Sequence, residues 1–589
     1  MRIFMCQTNT TPGDFQGNVA KIKLGIEAAF TSGVDMVVFP ELTIPGYLCR
    51  DMMFRQGFVD QNLLALQEIV SYWNVLAMKS KSRPHVVLGY IDANRTGVGK
   101  PFRNMAAVIG EGVVIGTYQK QLLPFYDVFD EGRYFEPGND LLVVKIGSER
   151  WGVCICEDVW NDKGSDDYNY RNNPLQKYRN IGVDNIISIN SSPFVQGKPE
   201  QRMKMLLQST APHGTLVYVN QTGGQDELVF DGHSFIVQNG HDVLVMMGVE
   251  PYQVWDRGVG PIFGDKSDVL DRVGRDRMKH LKEALVLGLR DYINKSGFKE
   301  VVVSSSGGID SAVVLALACE AIGAHNVHAV SQPSMYSSEG SIDDARALHK
   351  NLGCRDYTMP IQHLMQVELL KQAFIAEGQD YYKVADENIQ ARMRGNNVMW
   401  FSNATGALLL TTGNKTELAL GYCTLYGDMN GGFAPISDLY KLDVYALASY
   451  INSTDGLEII PKAIIDKAPS AELAPGQTDE GSLLPYPILD PIVRAYIEDY
   501  VGEFTKFVLW AQQPSETYLE SEFPDVNDRP TSPVLKWLHR MGMDQAEAEY
   551  TRIIRMINLS EFKRRQAAPG IKVSKVAFGT GRRLPIVKK

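Results

Sequence analysis

Val301-Val302-Val303-Ser304-Ser305-Ser306-Gly307-Gly308-Ile309-Asp310-Ser311 runs from an apolar β-branched stretch through small residues into the start of a helix. Three properties make it a cradle for phosphate. Glycines let the backbone approach an anion, the first helical N–H groups point at it, and the serines add hydroxyl donors. The Gly-x-x-x-x-Gly-Lys-Ser/Thr spacing of kinase and GTPase phosphate loops is missing here and everywhere else in the chain. Taken alone, a Gly-Gly turn also serves any ordinary strand-to-helix connection, so the flanks decide. Strands are predicted at 301–304, 327–330, 355–359 and 407–411, with helical stretches at 311–322, 341–352, 361–374 and 388–399 and an amphipathic stretch at 269–294 before them. Strand alternating with helix gives a parallel sheet wound on both sides.

The first half reads differently. Short β-rich runs recur at 3–6, 36–39, 86–90, 105–109, 113–117, 141–146, 153–156, 185–189, 216–220, 234–237 and 243–246, with helical stretches at 18–30 and 58–73, which predicts sheets sandwiched under helices. The Pro- and Gly-rich stretch 249–266 reads as a linker between a domain at 1–248 and one at 267–589. Within the second domain, Pro, Gly, Asp and Glu accumulate over 474–533, which reads as a mobile insertion. The tail is basic: Lys563, Arg564, Arg565, Lys572, Lys575, Arg582, Arg583, Lys588 and Lys589.

With 589 residues, 44% hydrophobic and 22% charged, the chain is a globular α/β multidomain protein. Its 59 basic against 69 acidic residues leave a net charge of −10, which argues against general binding to nucleic acid or membrane surfaces, so an anionic substrate needs a local positive site. The seven cysteines are odd in number and scattered, as in a reducing compartment. Cys154 and Cys156 have no second Cys/His pair at finger-like spacing, which speaks against structural zinc. Met1 to Gln7 carries no basic-then-apolar signal and no apolar run approaches the roughly 20 residues of a spanning helix, so a cytoplasmic location is expected.

Ser-Gly-Gly-x-Asp-Ser after a strand resembles the pyrophosphate loop of the ATP-pyrophosphatase enzymes, with Asp310 able to hold Mg²⁺ against phosphate. A second strand-to-helix turn, Leu408-Leu409-Leu410-Thr411-Thr412-Gly413-Asn414-Lys415-Thr416-Glu417, offers another carboxylate one helical turn in, although Asn414 and Glu417 equally make a helix capping box. Then come Glu387-Asn388-Ile389-Gln390-Ala391-Arg392-Met393-Arg394, Gly421-Tyr422, Tyr426-Gly427-Asp428-Met429, Asp438-Leu439-Tyr440-Lys441, Lys467-Ala468-Pro469-Ser470-Ala471-Glu472-Leu473 and Phe562-Lys563-Arg564-Arg565-Gln566. In this order they resemble the NAD synthetase family, which amidates deamido-NAD.

The resemblance implies that Ser304, Ser305, Ser306, Gly307, Gly308, Ile309, Asp310, Ser311, Thr412, Lys441 and Ser470 bind ATP, and that Asp310 and Glu417 hold Mg²⁺. It also implies that Asn388, Glu417 and Lys563 face deamido-NAD. One departure stands out: Ser305 occupies a place where the family more often has an apolar residue. Exposed lysines are usually solvated, so Lys441 and Lys563 rest on their motifs alone.

In the first half, Val37-Val38-Phe39-Pro40-Glu41-Leu42, Tyr118-Gln119-Lys120-Gln121-Leu122-Leu123-Pro124 and Gly152-Val153-Cys154-Ile155-Cys156-Glu157-Asp158 place a carboxylate, an ammonium and a thiol at or near strand ends. These are the parts of an amide-cleaving site. The ammonium favours thiolate and offsets charge on a tetrahedral intermediate, the carboxylate shuttles the proton, and the thiol forms a thioester. Singly, each reads as plainly: a helix cap, a surface lysine, a small core residue.

With Phe129-Asp130-Glu131-Gly132-Arg133-Tyr134-Phe135 after the lysine, the three strings resemble the nitrilase superfamily over about residues 1–250. That resemblance implies a four-layer αββα sandwich and a Glu41–Lys120–Cys156 triad. Cys154 is the rival thiol; strand alternation points it to the same side as Cys156, and the family's placement of the thiol before Glu-Asp selects Cys156. Tyr126, Ser192 of Asn190-Ser191-Ser192-Pro193-Phe194, and Lys198 are implied for glutamine, with Glu131 as a further carboxylate orienting Lys120.

Together the halves resemble the glutamine-dependent NAD synthetase family: ammonia from glutamine attacks deamido-NAD that ATP has adenylated. The resemblance further implies an internal ammonia tunnel, and a homo-oligomer is expected. GMP and asparagine synthetases share the phosphate loop but neither the nitrilase-type half nor the motifs at 467–473 and 562–566. A vestigial nucleotide-binding regulator would lack a triad member or a metal carboxylate, and all five are present.

Overall fold

A computed structural model describes residues 1–160, 170–211, 213–239, 242–245, 251–256, 277–376, 378–454, 456–470, 472–474, 479, 483–513 and 533–587. The chain divides into two compact units, Met1–Gly288 and Leu289–Lys589.

The first unit begins with β1 (Arg2–Cys6), α1 (Phe15–Ser32), β2 (Met36–Val38), α2 (Phe58–Lys79), β3 (His85–Ala93), β4 (Phe102–Gly110) and β5 (Val113–Gln119). It continues with β6 (Val143–Ile146), β7 (Glu149–Ile155), α3 (Pro174–Asn180), β8 (Asn185–Asn190), α4 (Lys198–Ser209) and β9 (Thr215–Asn220). The hairpin β10 (Thr222–Gln225) and β11 (Leu228–Asp231) follows, then β12 (Phe235–Gln238), β13 (Asp242–Val245) and β14 (Tyr252–Asp256). Two six-stranded mixed sheets result, ordered β14-β1-β2-β3-β4-β5 and β13-β12-β9-β8-β7-β6.

Strand alternation makes these sheets two-faced. Ile3 and Met5 of β1 and Trp151, Val153 and Ile155 of β7 meet in one core between the sheets. Phe4 and Cys6 turn the other way, onto Val19, Ile22, Ile26 and Phe30 of α1 and Ile69 and Trp73 of α2. On the far side Cys154, Ile186 and Tyr218 pack under α3 and α4 with Leu175, Tyr178 and Leu206. The layers are therefore α, β, β, α.

The second unit opens within α5 (Arg277–Lys295) and builds β15 (Val301–Ser305), α6 (Ile309–Ile322), β16 (Val327–Ser331), α7 (Glu339–Leu352), β17 (Arg355–Thr358), α8 (His363–Phe374), α9 (Val384–Thr405) and β18 (Leu408–Leu410). The four strands are parallel in the order β17-β16-β15-β18, so the chain winds outward from β15 and returns to its other side. A helical layer completes the unit: α10 (Lys415–Leu420), α11 (Lys441–Thr454), α12 (Lys462–Asp466), α13 (Tyr486–Glu498), α14 (Phe504–Ala511), α15 (Pro533–Met541), α16 (Met543–Leu559) and α17 (Glu561–Arg564).

Two expectations change. Part of the predicted linker, Tyr252–Asp256, is an edge strand antiparallel to β1, with Trp255 in the intersheet core. The Pro and Gly around it mask a short alternating stretch. Residues 249–250 and 257–266 lie outside the described residues.

The region read as a mobile insertion contains α13 and α14, whose Leu489, Ile492, Val493, Ile497, Phe504 and Phe507 join one core with Trp537, Tyr550 and Ile553. Pro487 sits in the first turn of α13, where its missing N–H costs nothing, and the apolar stripe holds the helix through Pro491. Residues 475–478, 480–482 and 514–532 of that region, 269–276 of the amphipathic stretch, Met246 and the terminal Lys588 and Lys589 lie outside the described residues. Among the described residues no helix is long and apolar enough to cross a membrane.

Candidate active sites

In the first unit Glu41, Lys120, Glu131 and Cys156 come together at one end of the sandwich core, on the segments leaving β2, β5 and β7. Lys120 Nζ donates to Glu41 Oε1 at 2.7 Å and to Glu131 Oε1 at 2.8 Å, all three side chains fully buried. Glu41 is fixed further by Asn104 Nδ2 at 2.7 Å and the Ser191 N–H at 3.0 Å. Glu131 accepts from the Tyr47 hydroxyl at 2.9 Å. Gly89 on β3 is required here, because a Cβ would strike the backbone of Glu41 and Leu42.

The Cys156 segment is stapled by Asp158. Its carboxylate accepts from the N–H groups of Ile155, Gln121 and Leu122 at 2.9–3.1 Å and from the Tyr118 hydroxyl at 2.9 Å, so it joins the cysteine turn to the lysine segment. Burial pushes Asp158 up to about 6, against these bonds.

Electrostatics decide how the triad rests. Burial alone would drive Lys120 toward the neutral amine, but Glu131 and Glu41 outweigh it and hold the ammonium charged. Burial and then the repulsion of Glu41, opposed by Lys120, push Glu131 up to about 7. The Cys156 thiol is driven well above its usual value by burial and by Glu41, with Lys120 pulling the other way. These influences together favour the neutral thiol, and Glu41 is the carboxylate that bears on it most.

Cys156 carries φ +47, a left-handed conformation uncommon outside glycine. That bend corrects the expectation from strand alternation. Cys154 lies in the core under α3 and α4, whereas Cys156, one step past β7, belongs to the intersheet core with the triad.

The residues implied for glutamine surround this turn. Tyr126 donates to both oxygens of Glu157 at 3.0 Å, and Tyr170 donates to Glu157 Oε1 at 2.9 Å. Ser192 is buried, its N–H on Asn220 Oδ1 at 2.8 Å and its hydroxyl 3.4 Å from Arg202 Nη2. Lys198 opens α4 with Nζ 5.8 Å from the centroid of Trp160. Asn104, Tyr47, Asn220 and Arg202 have no sequence signal, since only folding sets them beside the motifs. Ser191 and Glu157 lie within the motifs at 190–194 and 152–158, so the sequence does carry a signal for them.

In the second unit the phosphate loop follows β15, and its serines bond locally. The Gly308 N–H reaches Ser306 Oγ at 3.2 Å and Ser311 Oγ donates to the Gly308 carbonyl at 3.0 Å. Lys441, buried, bridges Asp310 Oδ2 at 2.5 Å and Glu417 Oε1 at 3.3 Å, and Asn414 Nδ2 donates to Asp310 Oδ1 at 3.0 Å. The capping box at Asn414 and Glu417 is also formed, through Glu417 Oε2, so both readings of that motif hold. Burial, with Asp310 opposing Lys441, pushes Glu417 up to about 8.

A cation suits this carboxylate pair. Among the described residues no group of three or more His, Cys, Asp or Glu stands ready to hold a metal alone, and Mg²⁺ ordinarily takes one or two carboxylates plus substrate phosphates. Ser470 accepts from the Glu472 N–H at 3.1 Å, and Thr412 is half-buried beside Asn414.

Asn388 and Lys563 meet on the segment after α10. Lys563 donates to the carbonyls of Gly421 and Cys423, each at 2.7 Å, and Asn388 Oδ1 accepts from the Thr424 hydroxyl at 2.7 Å. The rest of the described tail is not a free basic arm. Arg564 is buried and donates to the carbonyls of Leu418, Ala419 and Ile557, while Lys572 donates to that of Ser574. Arg564 and Lys572 thus cap backbone carbonyls.

Comparison with known proteins matches residues 2–253 to the carbon-nitrogen hydrolase family and residues 281–506 to the NAD synthase family. The chain is 38% identical to a glutamine-dependent NAD(+) synthetase of Thermotoga maritima, covering 100% of this chain and 99% of that protein. It is similar to the structure of the glutamine-dependent NAD+ synthetase of Acinetobacter baumannii in complex with ADP, with 31% identity, TM-score 0.68, and coverage of 99% and 98% of the two chains. The fold also matches that of a glutamine-dependent NAD(+) synthetase from Cytophaga hutchinsonii, at TM-score 0.75 and 20% identity, over 100% and 98% of the chains.

Proposed function

Because the chain belongs to the glutamine-dependent NAD(+) synthetase family, we propose that its two clusters of buried charge divide that reaction between them. The protein is an ATP-dependent ligase. It hydrolyses L-glutamine to glutamate and ammonia, and uses the ammonia to amidate adenylated deamido-NAD+, giving NAD+, AMP and pyrophosphate.

The glutaminase half is assigned to the unit Met1–Gly288. Glu41 takes the Cys156 proton, the thiolate attacks the side-chain amide carbon, and Lys120 offsets charge on the tetrahedral intermediate. Glu41 returns the proton to the leaving nitrogen, ammonia departs, and water activated by Glu41 cleaves the thioester. Glu131 keeps Lys120 charged and oriented. Tyr126, Ser192 and Lys198 hold glutamine, the first through its bond to Glu157 beside the nucleophile.

The synthetase half is assigned to Leu289–Lys589. Residues Ser304 to Ser311, Thr412, Lys441 and Ser470 bind ATP, and Asn388, Glu417 and Lys563 bind deamido-NAD+. Asp310 and Glu417 would hold Mg²⁺, which screens the phosphates when bound. A carboxylate oxygen of deamido-NAD+ attacks the α-phosphorus, pyrophosphate leaves, and ammonia then displaces AMP from the acyl carbon.

The observation that carries the reading is the buried ammonium in each unit, Lys120 between Glu41 and Glu131 and Lys441 between Asp310 and Glu417. Supplying amide-¹⁵N glutamine, ATP, Mg²⁺ and deamido-NAD+ should yield NAD+ heavier by one mass unit, with AMP and pyrophosphate in equal amounts; unlabelled or absent NAD+ would refute it. Self-association and a reducing, cytoplasmic setting complete the proposal. Exposed Leu364, Met365, Leu369 and Phe374 along α8 support the first, to be checked by sedimentation, and seven free cysteines support the second.

A further inference from the structure

Ser305 ends β15, one residue before the glycines of the phosphate loop. Its hydroxyl is buried and lies 2.8 Å from His349 Nε2, on the last turn of α7. His349 Nδ1 lies 2.8 Å from Asp356 Oδ1 on β17. A carboxylate only accepts, so Nδ1 carries the hydrogen; in the neutral ring Nε2 then accepts and the Ser305 hydroxyl donates. Burial lowers His349 from its ordinary range, against Asp356, which agrees with a neutral ring.

Two polar side chains in an apolar strand–helix contact would be costly if unpaired, and here each is satisfied. The hydroxyl hydrogen is thereby committed to His349, so Ser305 serves the ATP site through the backbone of the loop and not through its hydroxyl.

α7 meets the loop a second time. Gly307, at φ +75, lies against the Ser341 carbonyl in the first turn of α7, so closely that a Cβ there would overlap it. That turn is held by Glu472, which accepts from the hydroxyls of Ser338 and Ser341 at 2.9 and 2.7 Å, and by Lys467, 3.1 Å from Ser341 Oγ. One helix thus supports the loop at its start and at its apex, and carries the segment with Ser470 as well.

Resting on the reading of this loop as the ATP site, we propose that Ser305, His349 and Asp356 form a hydrogen-bonded relay, buried at Ser305 and His349 and reaching the surface at Asp356, that fixes the phosphate loop for ATP, with His349 and Asp356 as positioning residues for nucleotide binding. The test measures ammonium-driven pyrophosphate release and, in the same preparations of full-length protein, glutamine hydrolysis. Ser305→Ala and His349→Leu should each raise the KM for ATP about tenfold, with kcat, the KM for deamido-NAD+ and glutaminase activity nearly unchanged.

The double variant should be no worse than the more affected single one, because either change breaks the same chain. His349→Gln, which keeps a side-chain hydrogen-bonding group within reach of Ser305, should recover most of the loss. An unchanged KM for ATP in Ser305→Ala, equal losses in ATP and deamido-NAD+ binding, additive losses in the double variant, or a Gln variant as poor as the Leu variant would each overturn the relay. Ser305→Ala deletes one atom and serves as the readout should His349→Leu not fold. Absence of ATP-dependent pyrophosphate release from the unsubstituted protein would instead sink the functional reading.

Discussion

Replacing Lys120 with Met removes the ammonium that two buried carboxylates share, and the consequence can be sized from the geometry. Nζ lies 2.7 Å from Glu41 Oε1 and 2.8 Å from Glu131 Oε1, so those oxygens are no more than about 5.5 Å apart. Two unit charges at that separation repel by about 3 kcal/mol at an effective dielectric near 20. Where pH keeps both carboxylates ionised, Lys120→Met should therefore destabilise the first unit by about 3 kcal/mol, and at any pH it should abolish glutaminase activity.

The pH dependence has a definite sign. Losing Lys120 removes a lowering influence from Glu131, whose carboxyl burial already pushes up to about 7. A carboxyl raised in the folded state binds its proton more tightly there than in the unfolded chain, so its stabilising contribution is complete at low pH and disappears as pH rises through the folded value. The variant's deficit should be larger at pH 8 than at pH 6.

Lys120→Met/Glu131→Gln removes the repulsion and should recover about 2 kcal/mol or more of stability while recovering no glutaminase activity. The assays are urea unfolding followed by tryptophan fluorescence, where Trp151 and Trp255 report on the intersheet core, and glutamate release. A double variant no more stable than the single, or a Lys120→Met protein that still hydrolyses glutamine, would refute the account of a shared ammonium.

Cys156→Ala should abolish glutamine-dependent NAD+ formation and leave the rate with high ammonium intact; loss of both in a folded protein would mean Cys156 is not confined to ammonia supply. Asp310→Asn and Glu417→Gln should each remove pyrophosphate release with either nitrogen donor, and near-normal rates in both would reduce them to helix caps. Lys563→Ala deletes a charge near Asn388 together with its two carbonyl bonds, and should raise the KM for deamido-NAD+ ten- to a hundredfold at saturating ammonium; an unchanged KM removes it from the site. Arg564→Met leaves the Leu418, Ala419 and Ile557 carbonyls without their donor and should cost about 2–4 kcal/mol in urea unfolding, whereas a shift under about 0.5 kcal/mol would show the cap to be idle.

Much of this protein was legible from residue order alone. The apolar run before Ser304-Ser305-Ser306-Gly307-Gly308, the strand–helix alternation after it and the triad strings of the first half are local patterns, and the strand periodicity that sets the two sheets is local as well. Composition misled where one local signal hid another. Prolines over 474–533 concealed the stripe that buries α13, and the Pro and Gly flanking β14 concealed an edge strand. The tail is visible in sequence only as basic, because charge is legible there and partners are not, and in the fold Arg564 and Lys572 spend their charge on carbonyls.

What the sequence by itself determined is the inventory: which side chains carry acid, base, thiol and phosphate-binding chemistry, and which elements bear them. Only the tertiary structure decided how they meet. Lys120 holds Glu41 and Glu131 across 79 and 11 residues of chain, Lys441 holds Asp310 across 131, and His349 reaches Ser305 across 44. The side-chain direction of Cys156, against strand alternation, follows from a single φ of +47 beyond the strand end. Charge placement in a buried site depends on distance in space and on exclusion of water, and neither quantity exists until the chain has folded.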